Sequence, residues 1–211
     1  MTQLQDGLFT DPRAARGHLV SWLAQGTRDV AWALASVPRS RWIQEPPSDQ
    51  IELLGTWSAL RHVRHLSLGL SESTVPAVRF VLGEVPAHRL PAPGALQRVD
   101  AAWDPNTTLD RVDGLLRGLG ESRFTLLRLL DSAPEFIWLQ PLPPEVLPDR
   151  RPGAEPVGLG WLVARSYQHE LEHLNAVWKL ALYWDRIPPT SEAAATLPLQ
   201  HPDRPEEYSQ R

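Results

Sequence analysis

Cysteine is absent from the 211 residues, which excludes a disulfide framework, a thiolate metal ligand and a protein thiol nucleophile. Any bound metal must therefore rest on His, Asp or Glu, and imidazole suits zinc, nickel, iron or copper. Long apolar runs are missing as well. No stretch approaches the roughly 18 residues of a membrane span, and the opening segment, with Asp6 and Asp11, has no apolar run of signal-peptide length. The expectation is a cytoplasmic protein that meets no membrane. Positive charge is scarce: 21 basic residues against 25 acidic ones leave a net charge of −4. With no basic stripe to neutralise phosphates, nucleic acid is not an expected partner. Lysine occurs once, at Lys179, a compositional bias that says nothing about partners. A Gly-rich phosphate loop, a Gly-x-Ser-x-Gly elbow, an internal repeat and regular strand alternation are all lacking.

What is present is helical patterning cut by 21 prolines. The first helical stretch follows Asp11-Pro12, a cap with proline at the first helical position, and carries Leu19, Trp22, Leu23, Val30, Ala33 and Leu34 until Pro38 ends it. A second starts near Thr56-Trp57 and runs through Leu60, Val63, Leu66 and Leu70. Pro76 then kinks or restarts it, with a further turn or two over Ala77 to Gly83. The third opens after Asp104-Pro105-Asn106 and continues through Leu116 and Leu127 to Pro134, and the fourth spans Gly158 to Trp184. The intervening stretches Pro86 to Pro93 and Pro141 to Pro156 hold too much proline for helix, and Ile137-Trp138-Leu139 suits a short extended piece. The economical architecture is all-α, a four-helix bundle over residues 1–190 with a loosely ordered tail over 191–211. Nine tryptophans at helical spacing read as core rather than as a cofactor box.

The fourth stretch contains His169-Glu170-Leu171-Glu172-His173. Residues i and i+4 of a helix lie one turn apart on one face, so both imidazoles can reach one cation. That face also carries Leu162, Ser166, Ala176 and Leu180, which turns the pair inward. Two histidines rarely hold a catalytic metal alone, and the second helix offers His62 and His65. Helical projection alone favours His62, nearer the apolar arc of Ala59, Leu60, Val63 and Leu66, over His65, which lies well off its centre, so periodicity chooses wrongly or leaves a tie. His18, His88 and His201 have no partner in sequence.

The segment from Trp57-Ser58 to His65-Leu66 resembles the Trp-(Ser/Thr)-x6-His-Leu signature of the DinB/YfiT-like metalloenzyme superfamily. A further stretch, Arg79-Phe80-x-Leu82-x-Glu84-x-Pro86-x-x-Arg89 followed by Ala102-Trp103, resembles the connection of the YfiT-like branch. The resemblance covers the chain from about Asp11 to Trp184 and departs from the family in a longer segment between His65 and Arg79. It implies a DinB-like four-helix bundle in which His65, His169 and His173 hold a divalent transition metal such as zinc, nickel or iron. His62 then belongs beside the ligands, on the groove or equally at the surface. The implied activity is metal-dependent: a hydrolase, or an S-transferase using an exogenous low-molecular-weight thiol, on a small-molecule substrate. Glu170 and Glu172 are weak candidates for proton transfer. The alternative is a non-catalytic, metal-binding or stress-associated dimeric helical module, and a homodimer fits either reading.

Letter for letter, the motif is also the His-Glu-x-x-His of zinc proteases, in which the glutamate is the general base. That reading requires a sheet beside the helix and a downstream carboxylate ligand. Glu192, the near candidate, lies in a Pro-Pro-Thr-Ser-Glu-Ala segment without convincing helical pattern.

Overall fold

The structure is a computed structural model that describes residues 12–92, 94–146 and 156–185. It is helical throughout, with no strand among the described residues. Its helices are α1 (Pro12–Ala35), α2 (Ile51–Leu54), α3 (Ala59–Leu68), α4 (Val75–Val81), α5 (Ala95–Ala101), α6 (Pro105–Asp110), α7 (Val112–Ser132), α8 (Glu135–Leu139) and α9 (Leu159–Asp185). None of them is long and apolar enough to cross a membrane. The expected tail over 191–211, with Glu192 and His201, lies outside the described residues.

Packing follows the apolar stripes. In α1, Leu19, Leu23, Val30 and Leu34 are buried, and α7 answers with Leu119, Leu126 and Leu130. These spacings of four and seven residues put each set on one helical face. Both α7 and α9 pack on α1, and both also pack on α3. The connection from α1 to α3 is pinned by two hydrogen bonds: the Trp42 indole N–H donates to the Val37 carbonyl at 2.8 Å, and Leu60 N–H donates to the Trp42 carbonyl at 2.9 Å. That pinning fixes where α3 begins and hence the height of its histidines against α9.

Several expectations need correction. The third helical stretch is broken at Arg111, whose φ of −112° and ψ of 13° leave the helical region, so Asp104 caps only the short α6 and α7 starts afresh. Ile137-Trp138-Leu139 lies in α8 rather than in an extended piece. Pro76 stands in the first turn of the further α-helical segment α4, as expected, but a π-helical turn, Gly69–Thr74, joins α3 to it without a break. Proline cannot bond the carbonyl four residues back and clashes with it. That carbonyl belongs to Glu72, inside the wide turn, where the register is already i to i+5. The proline-rich stretch before α5 makes a 3-10 turn, Ala87–Arg89, and α5 itself was not expected from the sequence. Of the tryptophans, Trp42, Trp138 and Trp184 are buried, but Trp32 is 70 % exposed, so the core reading holds for only part of the set.

Candidate metal centre

The site is built where α3 faces α9. Ser58 starts α3: its hydroxyl accepts a hydrogen bond from Arg61 N–H at 3.4 Å, which satisfies one of the amides left open in a first turn. Leu60 and Val63 then enter the core completely, while His62 and His65 turn to α9, each 8 % exposed. Projection favours His62, yet both rings are buried and it is His65 that joins the cluster with His169 and His173. From α9, half-buried His169 and His173 present their rings one turn apart.

His65 Nε2 lies 3.1 Å from His169 Nε2, and His173 Nε2 lies 3.0 Å from the same atom. One ligand atom from each of the three rings falls within 4.8 Å of the others. With bonds of about 2.1 Å to a common cation, nitrogens at this spacing sit as neighbouring ligands of one ion. The donor set therefore fits a divalent transition metal.

The surroundings orient two of the three rings. The Asp100 carboxylate sits 2.5 Å from His65 Nδ1, so that nitrogen carries the proton and Nε2 keeps its lone pair for the cluster. The other oxygen of Asp100 is 3.7 Å from Arg64 Nη1, which balances its charge, and Asp100 itself is 8 % exposed. Asp100 went unseen in the sequence; its signal is the helix-forming run Ala95–Ala101 after Gly94, whose φ of +72° supplies the turn. Trp57 covers the cluster, with its ring 5.1 Å from that of His65 and stacked 5.7 Å from that of His173. The Arg61 guanidinium closes over the outer face of Trp57 at 4.7 Å. Replacement of Asp100 by Asn should weaken metal binding about 10–100-fold with helical content unchanged; titration against a chromophoric chelator checks this, and an unaltered affinity would remove Asp100 from the centre.

Burial is the main force lowering the imidazoles of His62, His169 and His173. It lowers His62 to about 4, helped by the charges of His65 and Arg61. It lowers His173 to about 3, helped by His62, His169 and His65. His169 is also lowered, by burial first and then by His65 and Arg165, against opposing pulls from Glu172 and Asp100. The unfolded chain takes up these protons near pH 6.5 and the folded, metal-free chain only well below it, so the unfolded state binds more protons in between. Stability is thus full above pH 6.5 and falls as pH drops toward 4. Urea midpoints of metal-free protein should decline from pH 7 to 5, with a shallower decline for His62→Leu; a flat wild-type profile contradicts this.

The two glutamates of the motif are engaged elsewhere. Glu170, 4 % exposed, forms a buried ion pair with Arg123 of α7, itself 3 % exposed. Burial lowers the Arg123 guanidinium only to about 10, so it stays charged at neutral pH. Gly26 of α1 makes room for the pair, because a Cβ there would overlap the Glu170 carboxylate. Glu172 is exposed and accepts from Gln168 at 3.1 Å and Arg165 at 3.3 Å. His18 and His88 are exposed and are not part of the cluster of His65, His169 and His173. No family model, curated protein or solved structure matches the chain.

Proposed function

We propose that this chain is a metal-dependent enzyme on a DinB/YfiT-like four-helix bundle, with His65, His169 and His173 as ligands of one divalent transition ion. The observation that carries the reading is the convergence of three imidazole nitrogens from two facing helices, His65 Nε2 3.1 Å and His173 Nε2 3.0 Å from His169 Nε2. Three neutral ligands leave coordination positions open, which is the mark of a catalytic rather than a structural site. The packing of α1, α3, α7 and α9 is that expected of a bundle with its metal site between facing helices.

When bound, zinc, nickel or iron supplies Lewis acidity, which acidifies a water or thiol brought to it. The chain's own residues do the rest. Asp100 aims His65 and strengthens it as a donor, Arg64 balances Asp100, and Trp57 keeps bulk water from one side of the rings. With no cysteine in the chain, a sulfur nucleophile would come from a small thiol. Hydrolysis and S-transfer to a small molecule are therefore the two reactions to screen. The protease reading is disfavoured because Glu170, its required base, is buried against Arg123.

The test is turnover by the metal-loaded protein across small-molecule substrates, with water alone and with added thiols, before and after chelation. The proposal expects activity that is lost on chelation and regained with the ion, while the helical circular dichroism persists. Collapse of the fold on chelation, with no turnover by either nucleophile, would instead identify a structural metal module.

A further inference from the structure

His62 stands outside the three-ligand set, yet it is as buried as His65 at 8 % exposure. Its Nδ1 lies 2.7 Å from Nδ1 of His173, and the two rings meet edge to face with centroids 5.0 Å apart. A hydrogen bond between two imidazoles needs an N–H on one and a lone pair on the other, so the contact selects a tautomer of each. Nε2 of His173 faces the cluster, 3.0 Å from His169 Nε2, and a ligand atom must keep its lone pair. His173 therefore carries its proton on Nδ1 and donates it to Nδ1 of His62. The proton of His62 is then on Nε2, an atom buried without a hydrogen-bond partner. Such an unsatisfied donor costs stability that an apolar side chain at the same place would not. The role that justifies an imidazole at position 62 lies in its Nδ1.

We propose that His62 is a positioning residue of the metal centre: it accepts the Nδ1 proton of His173 and so fixes the tautomer and ring orientation in which His173 binds the ion. The inference rests on the three-histidine reading. It also makes the centre asymmetric. His65 is backed by a carboxylate at 2.5 Å, whereas His173 is backed by a neutral ring at 2.7 Å, so His65 is the stronger donor of the two. Trp57 holds the arrangement from one side, with its ring 5.4 Å from His62 and 5.7 Å from His173.

Nitrogen-15 spectra of the zinc-loaded protein test this directly. They should show His173 protonated at Nδ1 and His62 at Nε2, with a scalar coupling between the two Nδ1 nuclei across the hydrogen bond. His62→Leu should lose the coupling and bind zinc about 10–100-fold more weakly. His62→Asn, which sets an amide oxygen close to the place of Nδ1, should recover most of the affinity. If His62→Leu binds as tightly as wild type, or if Asn recovers nothing over Leu, the positioning role is overturned while the ligand set stands; His173 protonated at Nε2 overturns the role and also removes that nitrogen from the ligands. A wild type that binds no zinc overturns the ligand set and this role together.

Discussion

His169→Ala and His65→Ala should each reduce affinity for zinc or nickel by at least about a hundredfold while the helical circular dichroism stays that of the wild type. Folding-coupled binding of a structural zinc ion amounts to about 10–16 kcal/mol over four ligands, or roughly 3 kcal/mol for each, which is two powers of ten. The folded chain tolerates the change because both rings sit at the α3–α9 contact rather than in the apolar stripe, where Leu60 and Val63 are fully enclosed. Competition titration with a chelator of known affinity reads the loss. An affinity within a few-fold of wild type in either variant would mean that the ring removed is no ligand.

Glu170→Gln should be among the most destabilising single substitutions in the chain and should leave metal binding by the folded fraction unchanged. It strands the Arg123 guanidinium, 3 % exposed, without its counter-charge. Breaking one side of a buried pair costs about 3–5 kcal/mol, and for a domain of this size the melting temperature should fall by roughly 10 °C or more. Replacing both members, as in Arg123→Met with Glu170→Leu, removes the stranded charge and should return most of the stability. Thermal melts of the three variants make the comparison. A Glu170→Gln protein that melts like wild type but has lost turnover would reverse the assignment and restore Glu170 as a base.

The same residues show what the sequence could and could not disclose. The long helices were legible because apolar spacing and flanking prolines act locally: α9 was expected over Gly158 to Trp184 and runs from Leu159 to Asp185. The break at Arg111 was not, since nothing in its neighbourhood forbids helix and the departure is a matter of how α6 and α7 pack on α3. The pairing of His169 with His173 followed from the helical repeat alone, whereas choosing His65 needed the family resemblance, because His62 and His65 share one buried face. Asp100 was hidden by a proline-rich context and by its distance along the chain from His65. Arg123 and Glu170 did leave a trace. Arg123 falls on the stripe of Leu119, Leu126 and Leu130, and Glu170 on that of Val163, Leu174 and Val177. Opposite charges on two apolar stripes announce a buried pair, and that signal also distinguishes Glu170 from the general base that its motif suggests.

Anomalous diffraction from crystals of the protein loaded with zinc or nickel bears most directly on the central claim. One anomalous peak should lie between α3 and α9, about 2.0–2.1 Å from Nε2 of His65, His169 and His173. A peak elsewhere, or none at those three nitrogens in protein shown to be folded, would contradict it.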